Sequence, residues 1–230
     1  MVLPPFYPIL DTETAARLKV DVADAAAWIL EGGARILQFR HKEFWSRDVF
    51  ETLQRVAELC RDAGVVFVVN DRADFAKLTG AGLHLGQDDL TPSIARRVVG
   101  AATMIGFSTH NEAQLRAAAE EPADYLALGP IFGTASKMNP DPTVGLEGLR
   151  RLRSITTRPL TKRPLVAIGG ITRENAGAVL EAGADSVAVI GDLFPEDGDI
   201  VRRVKEWLAV TERTALLLRD RVRKPPERET

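Results

Sequence analysis

The chain has 230 residues, a single cysteine and 45% hydrophobic residues, with a formal net charge of −2. At this length one large domain can fold without disulfides or a structural metal, and the lone Cys60 excludes an intramolecular disulfide framework. The near-neutral charge argues against a chain-wide surface for nucleic acid or anionic membranes. No apolar run reaches the roughly 18 residues of a membrane span, and Met1–Pro5 lacks the pattern of a signal peptide, so a cytoplasmic protein is expected.

Eight short apolar segments recur along the chain and predict β-strands. Each has four to six residues, and several are rich in β-branched side chains, as is typical of strands that are buried on both faces. In chain order they are Phe6–Leu10, Arg35–Phe39, Val65–Asn70, Gly82–Leu85, Thr103–Phe107, Tyr125–Leu128, Leu165–Ile168 and Ser186–Ile190.

The segments between these strands have helical periodicity, and several end at a glycine before the next strand begins. Eight β units that alternate with helices over about 200 residues match the (β/α)8 barrel. An open doubly wound sheet is the competing fold, but its glycine-rich fingerprint after the first strand is missing. We therefore predict an α/β protein with a single (β/α)8 TIM barrel over residues 1–212, followed by a charged, disordered tail over residues 213–230.

Two polar segments interrupt this alternation. Gly129–Gly145 is a long, proline-containing connection after the sixth strand, and loops of that length in a compact domain are usually functional. Thr156–Arg163 lengthens the link into the seventh strand and is predicted to be an excursion on the surface.

In barrels of this kind the active site lies at the C-terminal ends of the strands, so the residues that follow each strand are the candidates for a site. Most of them carry hydrogen-bonding side chains, and the others are glycine. They are Gln38, Arg40, Lys42, Asn70, Asp71, Arg72, Gly86, Gln87, Asp88, Asp89, Ser108, Thr109, His110, Thr134, Ser136, Lys137, Gly169, Gly170 and Gly191. The pattern predicts one polar rim.

Polar and bulky residues alternate at the end of the second strand. Gln38, Arg40 and Lys42 would point to the same side if the strand continues. Three donors, two of them cationic, suit a phosphate or pyrophosphate. A solvated strand end with surface ion pairs would have the same sequence.

Two aspartates follow neighbouring strands, so the carboxylates of Asp71 and Asp89 can converge at the barrel mouth. Such a pair beside a cationic patch suits Mg²⁺, which is usually held by one or two carboxylates and by substrate oxygens. A structural alternative is that Asp71 caps a helix and that Asp89 interacts with a helix dipole. The sequence leaves both interpretations open.

Two turns with bare backbone follow the last two strands, Gly169–Gly170 and Ile190–Gly191. Backbone amides at these turns form the phosphate site of many barrels, although a purely structural turn has the same pattern. From the long loop, Thr134 and Ser136 can add hydroxyl donors and Lys137 a positive charge.

Three further residues have chemistry of their own. His84 lies inside an apolar strand and is interpreted as a core histidine with satisfied hydrogen bonds. His110 begins a helix, where it either caps the helix or lines the site. Cys60 lies on the buried face of a predicted helix and is expected to be inert.

Taken together, these motifs resemble the thiamine phosphate synthase family from Gln38 to Gly191. The six matching stretches occur in family order, and the run that contains NDR and GLHLGQDD is highly specific. They are LQFRHK (37–42), VVNDRADFAKLTGAGLHLGQDDL (68–90), IGFSTHN (105–111), ADYLALGPIFGTASK (123–137), VAIGGI (166–171) and AGADSVAVIG (182–191).

The resemblance implies an activity and a set of site residues. Family members are barrels that join 4-amino-2-methyl-5-hydroxymethylpyrimidine pyrophosphate to hydroxyethylthiazole phosphate or its carboxylated form, which yields thiamine phosphate and pyrophosphate through a dissociative, carbocation-type step. The implied binding residues for the pyrimidine and its pyrophosphate are Gln38, Arg40, Asn70 and Lys137, with Lys42 in the same motif. The implied Mg²⁺ ligands are Asp71 and Asp89, and the implied thiazole phosphate site comprises Thr134, Ser136, Gly170, Ile190 and Gly191.

The resemblance places Ser108 near the reacting centre and assigns catalysis to Arg40, Lys137 and Ser108, which act on a bound substrate. Two positions depart from the family pattern. Ser136 replaces a common threonine and keeps the hydroxyl, whereas Gly191 replaces a usual serine, so contact with phosphate there must come from a backbone amide.

Three other functions fit parts of the sequence. A thiazole tautomerase of the same barrel family needs no Mg²⁺ pyrophosphate site, and a non-catalytic paralogue would bind a phosphate ligand without turnover. An aldolase that uses Lys42 or Lys137 as a Schiff base is disfavoured because neither lysine lies within a predicted strand. The expected partners are the two small substrates, without nucleic acid or membrane, and a homo-oligomer is compatible with the sequence.

Overall fold

Eight parallel strands close into a barrel in the order of the sequence, and β1 pairs with both β2 and β8. The structure, a computed structural model, describes residues 2–133, 142–156 and 163–223. The strands are β1 Phe6–Asp11, β2 Ile36–Arg40, β3 Val66–Asn70, β4 Gly82–Leu85, β5 Ile105–Thr109, β6 Tyr125–Leu128, β7 Leu165–Ile168 and β8 Ser186–Val189. The predicted barrel is confirmed, and every strand begins and ends within two residues of its predicted bounds.

Helices connect the strands and cover the outside of the barrel. They are α1 Thr12–Arg17, α2 Val22–Glu31, α3 Arg47–Asp62, α4 Ala73–Thr79, α5 Pro92–Val99, α6 Glu112–Ala118, α7 Gly145–Thr156, α8 Arg173–Glu181 and α9 Ile200–Arg223, with a 3-10 helix at Gly191–Leu193. Side-chain caps fix several starts; for example, Ser46 accepts a hydrogen bond from the backbone N–H of Val49. Within the described residues, no helix combines the length and the apolar character that crossing a membrane requires.

The apolar core has two layers because successive strand residues point to opposite faces. The outer layer packs the strands against the helices. The inner layer fills the barrel with Leu3, Tyr7, Ile9, Ile36, Val68, Tyr125, Ala127, Val166 and Ala188. The barrel interior is therefore packed, and its upper surface forms a floor below the C-terminal ends of the strands.

The C-terminal segment differs from the prediction. Helix α9 continues to Arg223, so residues 213–223, which were expected to belong to a disordered tail, are helical. Strong helix formers dominate this stretch, and Leu218 packs against the outer core, which the charged composition alone did not reveal. Arg35 and Glu212 form an ion pair at 2.6 Å near the middle of the helix. Residues 224–230 lie outside the described part of the chain.

The predicted surface excursion begins later than the sequence indicated. Thr156 is the last residue of α7 and is buried, with its Oγ1 donating a hydrogen bond to the Arg153 carbonyl at 3.0 Å. The backbone N–H of Arg163 donates to the Thr156 carbonyl at 3.3 Å, which brings the two ends of the segment together. Residues 157–162 between them lie outside the described part of the chain.

A glycine on β5 makes room for an aromatic ring inside the barrel. A Cβ atom at Gly106 would lie 2.0 Å from Cζ of Tyr125, whose ring is fully buried. We expect Gly106→Ala to lower the free energy of unfolding by about 2 kcal/mol, because neither the strand nor the ring can move without disturbing the barrel. Equilibrium denaturation with urea measures this change.

The matched control is Gly177→Ala in α8. There a Cβ atom would lie 3.6 Å from the Thr214 hydroxyl, an ordinary contact. Alanine should stabilise this helix by up to about 1 kcal/mol. Similar losses for both variants would contradict the steric argument.

Candidate active site

A cavity of about 640 Å³ opens at the C-terminal ends of the strands. Of the residues to which the family resemblance assigns a role, all that lie in the described part of the chain line this cavity. They are Gln38, Arg40, Lys42, Asn70, Asp71, Asp89, Ser108, Gly170, Ile190 and Gly191. The other three, Thr134, Ser136 and Lys137, lie outside the described residues.

A tight turn after β3 places the Asp71 carboxylate at the cavity wall. Asp71 has a φ of 66°, a left-handed conformation that is uncommon for residues other than glycine but that aspartate tolerates. Its backbone N–H donates to the His84 carbonyl at 2.8 Å. The carboxylate atom Oδ2 accepts a hydrogen bond from Lys42 Nζ at 2.5 Å, whereas Oδ1 is buried without a hydrogen-bond partner among the described residues.

The second carboxylate of this wall belongs to Asp89. It is held by its own turn, because the Gly86 backbone N–H donates to Asp89 Oδ2 at 2.7 Å. Burial first, and then the neighbouring Asp89 carboxyl, raise the pKa of Asp71 to about 6, although Lys42 acts in the opposite direction. The Asp89 carboxyl is thus close enough to raise the pKa of Asp71.

Neither aspartate is the N-cap of a helix. Helix α4 has Arg72 at its N-cap, without a side-chain capping bond, so Asp71 does not cap it. Helix α5 is capped by Thr91, whose Oγ1 accepts from the Ile94 N–H at 3.4 Å. Both aspartates line the cavity instead.

This acidic pair suits a divalent cation that keeps part of its coordination shell. Across the described ranges, no cluster of three or more His, Cys, Asp or Glu side chains forms a complete metal site. Mg²⁺ usually takes one or two carboxylates and completes its octahedron with water and substrate oxygens. The unpartnered Oδ1 of Asp71 is a ligand atom that such an ion would satisfy.

Arg40 forms the cationic wall at the end of β2. Its side chain is only 16% exposed, and its Nη1 donates to Oδ2 of Asp11, the residue aligned with it on β1. Asp11 is itself fixed, because its Oδ1 accepts from both the backbone N–H and the hydroxyl of Thr14, at 2.9 and 2.8 Å. The side chain of Lys42 is 42% exposed and lies nearer the mouth.

A chain of buried polar side chains forms the floor of the cavity. Gln38 Nε2 donates to the Tyr7 hydroxyl at 3.1 Å, and the Tyr7 and Tyr125 hydroxyls lie 2.8 Å apart. His84 contacts the Tyr125 hydroxyl through Nδ1 and the Ser108 hydroxyl through Nε2, each at 2.9 Å. Burial lowers the pKa of His84 to about 4, so the imidazole is neutral. His84 is a core histidine with both nitrogens bonded, as predicted, and it also lines the cavity.

The opposite wall is bare backbone from the turns after β7 and β8. Gly170 has a φ of +63°, and a Cβ atom there would lie 2.4 Å from the Gly133 carbonyl oxygen, so only glycine fits. The Ile190–Gly191 turn is tied to α9, because Asp192 accepts from Trp207 Nε1 at 2.9 Å. This wall offers backbone amides to an anion, and Asp192 beside Gly191 is the charged residue that also lines the cavity there.

Two residues of the predicted rim point away from the cavity. Arg72 pairs with Asp74 and places its guanidinium 3.8 Å from the centre of the Phe75 ring. Thr109 is buried and donates to a backbone carbonyl of β6. His110 does line the cavity, whereas α6 is capped by the next residue, so the site-lining interpretation of His110 holds.

Sequence reasoning missed Asp11, Tyr7 and Tyr125. Asp11 directly follows the first apolar segment, so the rule that selects residues at strand ends applies to it as well. The two tyrosines belong to apolar strands, and nothing in the sequence shows that their hydroxyls meet inside the barrel. Their place in the polar chain was visible only in the structure.

Comparison with known proteins agrees with this geometry. The family model for thiamine monophosphate synthase matches residues 6–193. The chain belongs to this family. Thiamine-phosphate synthase of Koribacter versatilis (strain Ellin345) is 46% identical over 213 residues, which are 90% of this chain and 96% of that protein. The enzyme of the same name from Agrobacterium fabrum (strain C58 / ATCC 33970) is 43% identical over 163 residues, which are 70% of this chain and 74% of that protein.

A solved structure gives the same result. Thiamine phosphate pyrophosphorylase from Pyrococcus furiosus has a TM-score of 0.78 and 31% sequence identity to this chain, with coverage of 92% of this chain and 96% of that one. Members of the thiamine monophosphate synthase family condense a pyrimidine with a thiazole. The family resemblance seen in the sequence motifs is therefore confirmed.

The raised pKa of Asp71 predicts that its charge destabilises the metal-free protein. Folding raises the pKa from an ordinary value of 3.8 to about 6, so the ionised carboxylate disfavours folding above pH 6. This penalty disappears as the pH falls from about 6 towards 4 and the folded protein takes up a proton. We expect Asp71→Asn to raise the melting temperature by about 2–4 °C near neutral pH, with a smaller gain at acidic pH.

Calorimetry in the presence of EDTA at several pH values measures this difference. Asparagine tolerates the left-handed backbone at position 71, so the substitution adds no strain. Asp88→Asn, at an exposed position in the neighbouring turn, is the control and should leave the melting temperature unchanged. A lower melting temperature for Asp71→Asn near neutral pH would show that the carboxylate stabilises the fold.

Proposed function

We propose that this chain joins 4-amino-2-methyl-5-hydroxymethylpyrimidine pyrophosphate to hydroxyethylthiazole phosphate or its carboxylated form, and that it releases thiamine phosphate and pyrophosphate, together with CO2 when the thiazole is carboxylated. One observation carries the proposal. The acidic pair Asp71 and Asp89 lies in the same cavity as the cations Arg40 and Lys42, opposite the bare glycine backbone of the last two turns. One cavity thus offers a place for a diphosphate with its metal ion and another for a single phosphate.

We assign Mg²⁺ to the acidic pair. Asp71 supplies a buried oxygen without a hydrogen-bond partner among the described residues, and Asp89 supplies a carboxylate held by the Gly86 turn. Mg²⁺ bound there would neutralise charge that develops on the departing pyrophosphate. Lys42, which bonds to Asp71 in the free protein, lies where it can move to the pyrophosphate when the ion arrives.

Arg40 is assigned to the pyrophosphate. Its guanidinium presents a planar set of donors that matches phosphate oxygens, and Asp11 holds it in place before the substrate binds. A donor that is already oriented in a partly buried cavity stabilises developing charge without reorganisation. From the family resemblance, Lys137 contributes a second cation.

The bond that breaks is the one between the pyrimidine methylene carbon and the pyrophosphate oxygen, which keeps the electron pair. The electron-rich aminopyrimidine ring stabilises the carbocation, and the thiazole nitrogen then bonds to the methylene carbon. This step needs no nucleophile from the protein. Burial raises the pKa of Cys60 to about 12 and keeps this thiol out of the chemistry.

The remaining demand is alignment of the two substrates. The Gly170 and Ile190–Gly191 turns, with Thr134 and Ser136 from the loop after β6, are assigned to the thiazole phosphate. Ser108 lies on β5, between the pyrophosphate wall and these turns, and is assigned to the reacting centre. Holding both substrates away from water favours attack by the thiazole over attack by water.

The catalytic unit in this proposal is the barrel of residues 1–212, and the end of α9 is a continuation beyond it. The reaction requires only the two small-molecule substrates and Mg²⁺, without nucleic acid or membrane, and it is assigned to the cytoplasm. The acidic pair distinguishes the proposal from a thiazole tautomerase, which has no use for a metal beside a pyrophosphate site.

A pyrophosphate-release assay with both substrates tests the proposal. The wild-type protein should release pyrophosphate only when both substrates and Mg²⁺ are present, and EDTA should stop the reaction. Asp89→Asn should lower turnover by at least about 100-fold, because it removes a charged ligand from the ion that stabilises the leaving group. Asp62→Asn is the control and should stay within about 2-fold of the wild-type rate, because this aspartate is exposed at the end of α3 and does not line the cavity.

The assay also separates the alternatives. A tautomerase or a non-catalytic paralogue would bind thiazole phosphate and release no pyrophosphate under any of these conditions. Near-wild-type turnover of Asp89→Asn would instead be consistent with the proposed reaction but would contradict the assignment of Asp89 as a metal ligand.

A further inference from the structure

Three buried residues below the cavity connect two residues that line it. Starting from Gln38 on β2, hydrogen bonds run through Tyr7, Tyr125 and His84 to Ser108 on β5. We propose that Tyr7, Tyr125 and His84 are positioning residues that fix the hydrogen-bond polarity of Gln38 and Ser108, so that Gln38 presents an acceptor and Ser108 presents a donor to the substrate. The consequence for the substrate rests on the proposed function, whereas the direction of these hydrogen bonds does not.

The direction of every hydrogen bond in this series follows from the one between Gln38 and Tyr7. The Nε2 atom of Gln38 can only donate, so the Tyr7 hydroxyl accepts from it at 3.1 Å. Tyr7 has one hydroxyl proton, which is then directed to the Tyr125 oxygen at 2.8 Å. Tyr125 in turn directs its proton to Nδ1 of His84 at 2.9 Å.

The imidazole transmits the same direction to the other end. A neutral histidine that accepts at Nδ1 carries its proton on Nε2, and this proton is donated to Ser108 Oγ at 2.9 Å. The hydroxyl proton of Ser108 is then left for the cavity. The opposite orientation of the Gln38 amide would reverse every bond and would place the His84 proton on Nδ1. The tautomer of His84 therefore reports the polarity of the whole chain.

Reversing the direction of one hydrogen bond among these five residues is unfavourable unless the others reverse as well. Tyr7, Tyr125 and His84 are buried, and burial raises the pKa of Tyr7 to about 12 and that of Tyr125 well above its ordinary value, so both hydroxyls stay protonated. Inside a barrel an unpaired hydroxyl or imidazole nitrogen is costly, so a local reversal that left two donors or two acceptors facing each other would be unfavourable.

The polarity predicts which ring the cavity accepts. With Nε2 engaged by Tyr7, the Gln38 carbonyl oxygen is left as an acceptor and suits an amino group on the substrate. The Ser108 hydroxyl suits an acceptor atom or a negative charge. An aminopyrimidine carries both an amino donor and ring nitrogen acceptors, whereas a 4-oxo analogue presents an acceptor to Gln38 and is mismatched.

Nitrogen-15 NMR of the histidine side chains tests the polarity directly in the full-length protein without substrate. The chain has three histidines, and the His84→Asn variant assigns the His84 signals by their loss. We expect a neutral His84 with its proton on Nε2. A proton on Nδ1, or a mixture of the two tautomers, would overturn the proposal whether or not the protein is a synthase.

Tyr7→Phe tests the positioning role. It removes the hydroxyl that joins Gln38 to the rest of the chain, so the Gln38 amide is free to turn over. We expect the preference for the aminopyrimidine pyrophosphate over its 4-oxo analogue, measured as the ratio of kcat/KM values, to fall by about 10-fold or more. The NMR spectrum of the same variant should show that His84 has lost its single tautomer.

Thr211→Val is the matched control. It also removes a buried hydroxyl, but one that donates to the Trp207 carbonyl at 2.8 Å within α9, away from the chain. It should leave both the selectivity and the His84 tautomer unchanged. If Tyr7→Phe lowers activity equally with both substrates and leaves the His84 tautomer intact, the hydrogen bonds between Gln38 and Ser108 have only a structural role. If the wild-type protein releases no pyrophosphate, the proposed function fails, and the NMR result with relative binding of the two pyrimidines still decides the polarity.

Discussion

Closure of eight short parallel strands into one barrel is the constraint on which the site depends. A parallel barrel brings all the C-terminal strand ends to one mouth, so residues as distant in sequence as Gln38 and Gly191 line the same cavity. Because each strand is buried on both faces, its chemistry has to be placed at its last inward position or just beyond it. The acidic wall, the cationic wall and the glycine wall are three sectors of this one ring of strand ends.

The acidic wall shows that this ring is not arranged for stability alone. Asp71 combines a buried oxygen that has no hydrogen-bond partner among the described residues with a neighbouring carboxyl, and both disfavour folding when no cation is bound. On the cationic wall, by contrast, Asp11 satisfies the charge of Arg40 and is itself held by Thr14. The two walls differ because the cation that we propose for the acidic pair would complete the first, whereas the charge of Arg40 on the second is already paired.

The sequence contained the strands and most of the site, for a physical reason. Buried parallel strands are apolar runs, and all of them end at the same side of the barrel. The first polar residue at the end of a run, such as Asn70 or Ser108, therefore lies at the mouth. The sequence does not show which strand residues face each other across the barrel. The contact between the hydroxyls of Tyr7 and Tyr125 could therefore not be predicted from it. The end of α9 was predicted to be a disordered tail because its composition is highly charged. The packing of Leu218 against the outer core could not be read from that composition.

The floor and the walls are linked through the interior of the barrel. Polar groups in a core are costly unless they are hydrogen-bonded, and the buried hydroxyls and imidazole are bonded here along a continuous path through β1, β6 and β4. The ends of that path are Gln38 and Ser108, so we infer that the hydrogen bonds that a substrate meets are fixed from the interior of the barrel. Gly106 belongs to the same system, since a larger residue would displace the Tyr125 ring. The barrel interior thus determines selectivity as well as stability, and substitutions there can alter the two properties separately.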